Sequence, residues 1–396
     1  MRSKPAALLI FIAYIGFVSL GLPDAVIGIA WPSVRESFHL RQGSLSWLFI
    51  AAGIGYFISS FFIGRILFAT RIGVLLAGSS LIVAASGFGF SLAPIWILFA
   101  SCSIFHGLGS GAIDAGLNHY AAHHFSARHM NWLHACYSLG ATLGPLMMTA
   151  VLAGSGSWRA GYAAVGTAML VLSLLFFATR NYWESAPTPA EPRSSAQASV
   201  LETLANSTVR LQVIIFFIYT GLEVSVGQWG FTLLTESRGV ARETAGLWIT
   251  LYWASIGLGR ILFGIVVESI GIDRLLRLSM GAAIAGTLLL AARMPAPFPL
   301  IGLSLAGLGL APVYPCMMTR TPQRLGSNFA AHAIGFQVSA AMIGAAILPS
   351  LCGWLADIYG LERIPMVTAF LAMTLFLVHE ILLRRPSAAL PIGRAL

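Results

Sequence analysis

The sequence predicts an all-α integral membrane protein, with twelve transmembrane helices arranged as two six-helix repeats. Three observations carry that class. Of the 396 residues, 57% are hydrophobic and only 9% are charged, whereas a soluble domain carries about a quarter charged residues. The apolar residues gather into twelve blocks, each of a length that suits a bilayer, which needs roughly 20 apolar residues per helix. Short glycine-centred motifs of the first half also return in the second half in the same order. A soluble enzyme, a disordered chain and a disulfide scaffold are excluded on these grounds.

The first span covers residues 6–34. It follows the N-terminus directly and has no small-residue cleavage site, so it reads as a retained helix and not as a signal peptide. Spans two to six cover 44–67, 72–91, 94–120, 131–153 and 158–179. A polar segment follows at 180–208, with Pro187, Pro189, Pro192 and several serines. It is the one long stretch of low hydrophobicity and divides the chain. Spans seven to twelve cover 209–235, 244–267, 274–292, 298–319, 329–355 and 361–383. The expected organisation is an N-terminal six-helix half at 1–179, a cytoplasmic linker at 180–208 and a C-terminal six-helix half at 209–396.

Orientation follows from the cations. Arg35, Arg41, Arg159, Arg238, Arg242, Arg293 and Arg363 fall on one side of the predicted bilayer, and the rest of the 23 Lys and Arg residues fall on the other. The richer side is cytoplasmic, and it holds both termini. The net charge of +9 is scattered singly between apolar blocks, which is not the clustered face of a nucleic-acid binder. Cys102, Cys136, Cys316 and Cys352 all lie inside apolar blocks and read as small hydrophobes, with no metal-ligand spacing.

The repeat is legible in particular residues. Gly64-Arg65-Ile66-Leu67-Phe68 returns as Gly259-Arg260-Ile261-Leu262-Phe263. Gly107-Leu108-Gly109 returns as Gly307-Leu308-Gly309, and Gly21-Leu22 as Gly221-Leu222. His134 has an approximate counterpart in His332. Two parallel six-helix halves place a solute site at the bilayer midplane between them. No zinc-protease helix, nucleophile elbow or phosphate loop is present, so no enzyme is expected.

Three acids sit well inside spans: Asp24, Asp114 and Glu223. A charge at the centre of a bilayer helix costs at least ~2.5–3.5 kcal/mol, so such residues face an interior cavity and have a task. No Arg or Lys lies in the middle of spans one, four or seven. An acid without a fixed cation is what a proton carrier needs, and these three are the expected proton-coupling residues. By position Asp24 lies nearer the outer side and Asp114 nearer the cytoplasm, so that a proton could pass between staggered acids. Pro23 removes a backbone hydrogen bond beside Asp24. Neutral polar and aromatic residues at mid-span complete the candidate site: Asn118, Tyr137, Gln228, Trp229, Tyr252, Trp253, Tyr314 and Gln337. His134 is expected at the cavity mouth. His106 is expected to pack, while His123, His124 and His129 are expected in water. Trp132, Trp158 and Trp248, near span ends, read as interfacial anchors.

With twelve spans, the repeat and the central linker, the chain resembles the major facilitator superfamily. That superfamily carries Gly-x-x-x-Asp-Arg-x-Gly after the second and eighth helices. Here the second copy survives as Gly264-Ile265-Val266-Val267-Glu268-Ser269-Ile270-Gly271, while the first keeps only Arg71 and Gly73, with Thr70 in place of the acid. Within the superfamily the chain is similar to the fucose-type sugar/proton symporters, which place one acid in helix 1 and one in helix 4, as Asp24 and Asp114 are placed here. The resemblance implies the major facilitator fold and symport of a small polar solute, a monosaccharide, with protons by alternating access. It implies a monomer in the cell (inner) membrane that takes a small molecule and no nucleic acid, with no cofactor beyond the coupling proton. Gly140-Ala141-Thr142-Leu143-Gly144-Pro145 also matches part of a helix 5 motif of the antiporter branches, whose closing Gly-Gly is Met148-Thr149 here. The alternative it implies is a proton-coupled antiporter exporting drugs or amphipathic compounds. On the residues alone, Gly140 and Gly144 read as close helix contact.

Overall fold

The structure, a computed structural model, describes residues 6–125, 127–183 and 199–385. Residues 184–198 of the expected linker, both chain ends and the side chain of His123 lie outside the described residues.

All regular elements among the described residues are helical. The first half comprises α1 (Ala6–Ser37), α2 (Ser46–Ala69), α3 (Ile72–Leu92), α4 (Trp96–His124), α5 (Ala127–Ser155) and α6 (Trp158–Thr179). The short helix α7 (Val200–Ala205) falls inside the expected linker. It opens on a capping box, in which Ser199 N donates to Glu202 Oε2 (2.7 Å) and Glu202 N donates to Ser199 Oγ (3.2 Å). Hydrogen bonds from the Ser199 main chain and hydroxyl hold the Glu202 carboxyl below its usual range. The second half comprises α8 (Ser207–Thr232), α9 (Arg242–Ile270), α10 (Ile272–Ala291), α11 (Phe298–Leu310), α12 (Val313–Leu325), α13 (Ser327–Tyr359) and α14 (Arg363–Leu383). The tenth span is divided into α11 and α12 at Ala311-Pro312, because proline cannot donate to the helix ladder. Among the described residues, twelve segments are long and apolar enough to cross a membrane.

Helix pairs in the first half are α1 with α5, α2 with α4, and α3 with α6 and α4. Glycines set their approach, since close packing in lipid favours small residues. A Cβ on Gly109 would stand 2.7 Å from Ser79 O, across the α3–α4 contact. A Cβ on Gly309 would stand 2.5 Å from Ser279 O, across the α10–α11 contact. The repeat read from the sequence is therefore also a repeat of backbone contacts. Gly21 meets the main chain of α5 at Tyr137, as Gly221 meets that of α13 at Gly344. Gly140 and Gly144 meet α1 at Val18 and Leu22, the close helix contact that their spacing suggests.

By packing, the chain forms two compact units, each gathered from separate segments. One holds Met1–Pro187, Gly227–Gly257 and Pro349–Ile364; the other holds Thr188–Val226, Leu258–Leu348 and Pro365–Leu396. In the first unit, the loop after α1 is tied to the ends of α8 and α13. Gln42 N and Gly43 N donate to Asp357 Oδ1 and Oδ2, both at 2.8 Å. Gln42 Nε2 and Arg35 Nη2 donate to the Glu236 carboxylate, both at 2.8 Å. Arg238 forks onto Glu362 at 3.0 and 2.9 Å. The second unit has its own polar tie, in which Arg320 forks onto Asp273 at 3.2 and 2.6 Å.

Candidate functional site

Asp24 sits in α1, which runs unbroken through Pro23 and Pro32. Its side chain is 42% exposed. Three helices address it within the first unit. From α4, His106 Nε2 lies 3.1 Å from Asp24 Oδ1. From α5, the Tyr137 hydroxyl donates to Asp24 Oδ2 at 3.1 Å. From α8, Gln228 Nε2 donates to the Asp24 main-chain oxygen at 2.8 Å. The α8 contact is possible because Gly28 has no side chain: a Cβ there would stand 2.9 Å from Gln228 Oε1 and 3.0 Å from Gln228 Cα.

Asp114 forms a second polar station, two turns further along α4 than His106, or about 12 Å along the axis at 1.5 Å per residue. The Tyr56 hydroxyl of α2 donates to Asp114 Oδ2. Asn118 Nδ2 donates to Asp114 Oδ1 at 2.9 Å and to its main-chain oxygen at 3.0 Å. Both carboxylate oxygens are thus met by neutral donors, which suits an acid in an apolar setting.

The remaining candidates of the first unit divide by what they touch. Gln228 is buried, and among the described residues no group hydrogen-bonds its Oε1. Trp253 is buried against Gly227, and its indole N–H likewise has no partner among the described residues. Its ring stands edge-on to that of Tyr252, with centroids 5.3 Å apart. Trp229, expected beside Gln228 in one cluster, points elsewhere and donates to Pro349 O at 2.8 Å. Neighbours on a helix differ in direction by about 100°, so adjacency in sequence separates these two. His134 is exposed and stands edge-on to Phe17, with centroids 5.4 Å apart.

In the second unit, Glu223 accepts from the Tyr219 hydroxyl, one turn earlier on α8. Arg260 Nη2 lies 3.9 Å from Glu223 Oε2. The expectation of an acid without a cation therefore does not hold for Glu223. Arg260 belongs to the repeated Gly-Arg-Ile-Leu-Phe motif, on the side assigned to the cytoplasm by its cations, and nothing in that pattern pairs it with α8. Tyr314 joins this cluster by its ring, 5.1 Å from Phe216 and 6.3 Å from Tyr219 between centroids. Gln337 is fully buried and closed on Thr321, to which its Nε2 donates at 2.9 Å.

Two residues on Asp24 and Asp114 escaped the sequence reading. His106 was expected to pack, and instead it faces Asp24. Tyr56 lies in a run with Phe57, Phe61 and Phe62, where nothing in the sequence distinguishes a hydroxyl with a partner from an aromatic facing lipid.

The profile of the Major Facilitator Superfamily matches residues 7–349. Human sodium-dependent glucose transporter 1 is 24% identical over 385 residues, which cover 87% of this chain and 72% of that protein. The glucose/mannose transporter GlcP of Bacillus subtilis (strain 168) is 23% identical over 358 residues, covering 86% of each chain. A solved bacterial homologue of the human lysosomal transporter Spinster, in an inward-facing and unoccupied conformation, superposes with a TM-score of 0.79 at 14% identity, over 98% of this chain and 100% of that one. At that identity the likeness is one of fold.

Proposed function

Because this chain belongs to the Major Facilitator Superfamily and is a multi-pass membrane transporter, with twelve candidate spans among the described residues, we propose that it carries a monosaccharide across the cell membrane in symport with protons. It does so as a monomer, by alternating access, with both termini in the cytoplasm. The observation that carries this reading is the cluster at Asp24, where a carboxylate inside an apolar span is met by an imidazole and a phenol from two other helices, and the main-chain oxygen of the same residue by an amide from a third.

The chemistry of the cluster favours a hydroxylated solute over an amphipathic drug. A sugar hydroxyl both donates and accepts. Gln228 Oε1 needs a donor and the Trp253 indole needs an acceptor, and a buried polar atom left unpaired costs about 1–3 kcal/mol. A solute that fills both roles recovers that cost, whereas an apolar solute does not. The relatives named for glucose and mannose agree with this preference. The α5 motif that speaks for drug antiport places Gly140 and Gly144 in contact with α1.

Protons act through the acids. Loading a proton on Asp24 or Asp114 changes which donors each carboxylate can hold, and so biases which face of the carrier opens. The human relative's name carries sodium, so the coupling ion is tested directly. Purified protein in liposomes is given radiolabelled D-glucose under an inward proton gradient, an inward sodium gradient, or neither. The reading expects accumulation on the proton gradient alone. Accumulation on sodium alone replaces the ion, and transport of a cationic dye in place of glucose replaces the solute.

A further inference from the structure

His106 is the titratable group that the acid-only account leaves without a role. Its ring nitrogen stands 3.1 Å from Asp24 Oδ1, and its side chain is 14% exposed against 42% for Asp24. We propose that Asp24 and His106 together are the site that carries the coupling proton, with Asp114 a fixed acceptor that stays hydrogen-bonded through the cycle. The proposal rests on the symport reading above and refines it.

Geometry separates the two acids. Asp114 has both oxygens occupied, Oδ2 by Tyr56 and Oδ1 by Asn118, and all three residues lie on two helices that pack along their length. Asp24 instead stands where α1, α4, α5 and α8 meet, and its side chain is 42% exposed. The unloaded pair carries one negative charge, and the loaded pair is neutral overall, whichever atom holds the proton. An aspartate–arginine pair would instead be neutral unloaded and positive loaded, because the guanidinium keeps its charge.

Asp114, two turns further along α4, is an ionisable acid whose charge interacts with that of Asp24. From α5 the titratable neighbour is Tyr137, whose hydroxyl already donates to Oδ2. From α3 the neighbour is the Phe90 ring, 6.5 Å from the imidazole between centroids. The tyrosine of α2, Tyr56, turns to Asp114, and α8 presents the uncharged Gln228. Among the described residues no Arg or Lys pairs with Asp24 or His106.

The step is balanced by water alone. One proton enters from water on one side, is shared along the Oδ1···Nε2 axis and leaves to water on the other side. Its arrival lowers the negative charge on the carboxylate and so weakens the hold of Asp24 Oδ2 on the Tyr137 hydroxyl. The same residue's carbonyl is the one that ties α1 to α8 through Gln228, so the proton acts at the junction of helices.

The test compares wild type with His106→Gln in proteoliposomes, using D-glucose counterflow and proton-driven D-glucose accumulation. The expected result is that His106→Gln retains counterflow, which needs no net proton release, and loses accumulation. Accumulation equal to wild type in His106→Gln overturns the assignment and leaves the symport reading standing. A wild type that accumulates D-glucose on sodium and not on protons overturns both. Where His106→Gln does not fold, or where D-glucose is not carried, nitrogen-15 spectra of the wild-type histidines decide. The pH dependence of the His106 signal is expected to differ between wild type and Asp24→Asn. A His106 signal indifferent to that substitution makes it a packing residue.

Discussion

Gln228 reaches out of α8 and donates to the main-chain oxygen of Asp24 at 2.8 Å, against the bare backbone of Gly28. One amide thus spends its donor on α1 and keeps its acceptor for something else. Substituting Gln228 by Ala removes both. The expected effect is a D-glucose affinity weaker by up to about tenfold, the equivalent of the ~0.5–1.5 kcal/mol of a single hydrogen bond. Binding to the purified protein measures it, and an unchanged affinity would remove Gln228 from the solute site.

Tyr56 holds Asp114 from a neighbouring helix. Tyr56→Phe keeps the ring and deletes the donor, so one carboxylate oxygen loses its partner inside the span. A destabilisation of about 1–3 kcal/mol is expected, read as a lower Tm in detergent. Asn118→Leu is expected to act in the same direction, because it strips the other oxygen.

Glu223 and Arg260 form a loose buried pair at 3.9 Å. Removing one charge strands the other, at about 3–5 kcal/mol for a buried pair. Arg260→Gln is therefore expected to be more harmful than Arg260→Gln combined with Glu223→Gln. Thermal unfolding of both singles and the double gives the coupling; additive losses would mean that the two charges do not depend on each other.

Asp357 accepts the N–H groups of Gln42 and Gly43 ahead of α2, which is the role of a cap supplied from another helix. Asp357→Ala is expected to cost about 0.5–2 kcal/mol, as loss of a helix N-cap does. Asp357→Asn, which retains one acceptor oxygen, is expected to lose less, and thermal unfolding ranks the two.

The spans were legible because apolar length is a one-dimensional property of the chain. The repeat was legible because glycines at helix contacts are constrained by backbone on both sides: Gly109 and Gly309 each meet the carbonyl of a serine, Ser79 and Ser279. The three intramembrane acids were legible from cost alone. Their partners were not, since a sequence does not say which face of α4 turns to α1, and so His106 read as packing. Arg260 was hidden by its place in a repeated motif, and Trp229 was misjoined to Gln228 by adjacency. Gln337 looks like a ligand group because an amide in a span is unusual, and in the structure its Nε2 donates to Thr321.

The most direct measurement is uphill D-glucose accumulation in proteoliposomes holding Asp24→Asn, set beside counterflow in the same vesicles. The account predicts that counterflow survives while accumulation on a proton gradient disappears. Accumulation at the wild-type level in Asp24→Asn would contradict it, because the carboxylate at the junction of α1, α4, α5 and α8 would then have no part in coupling.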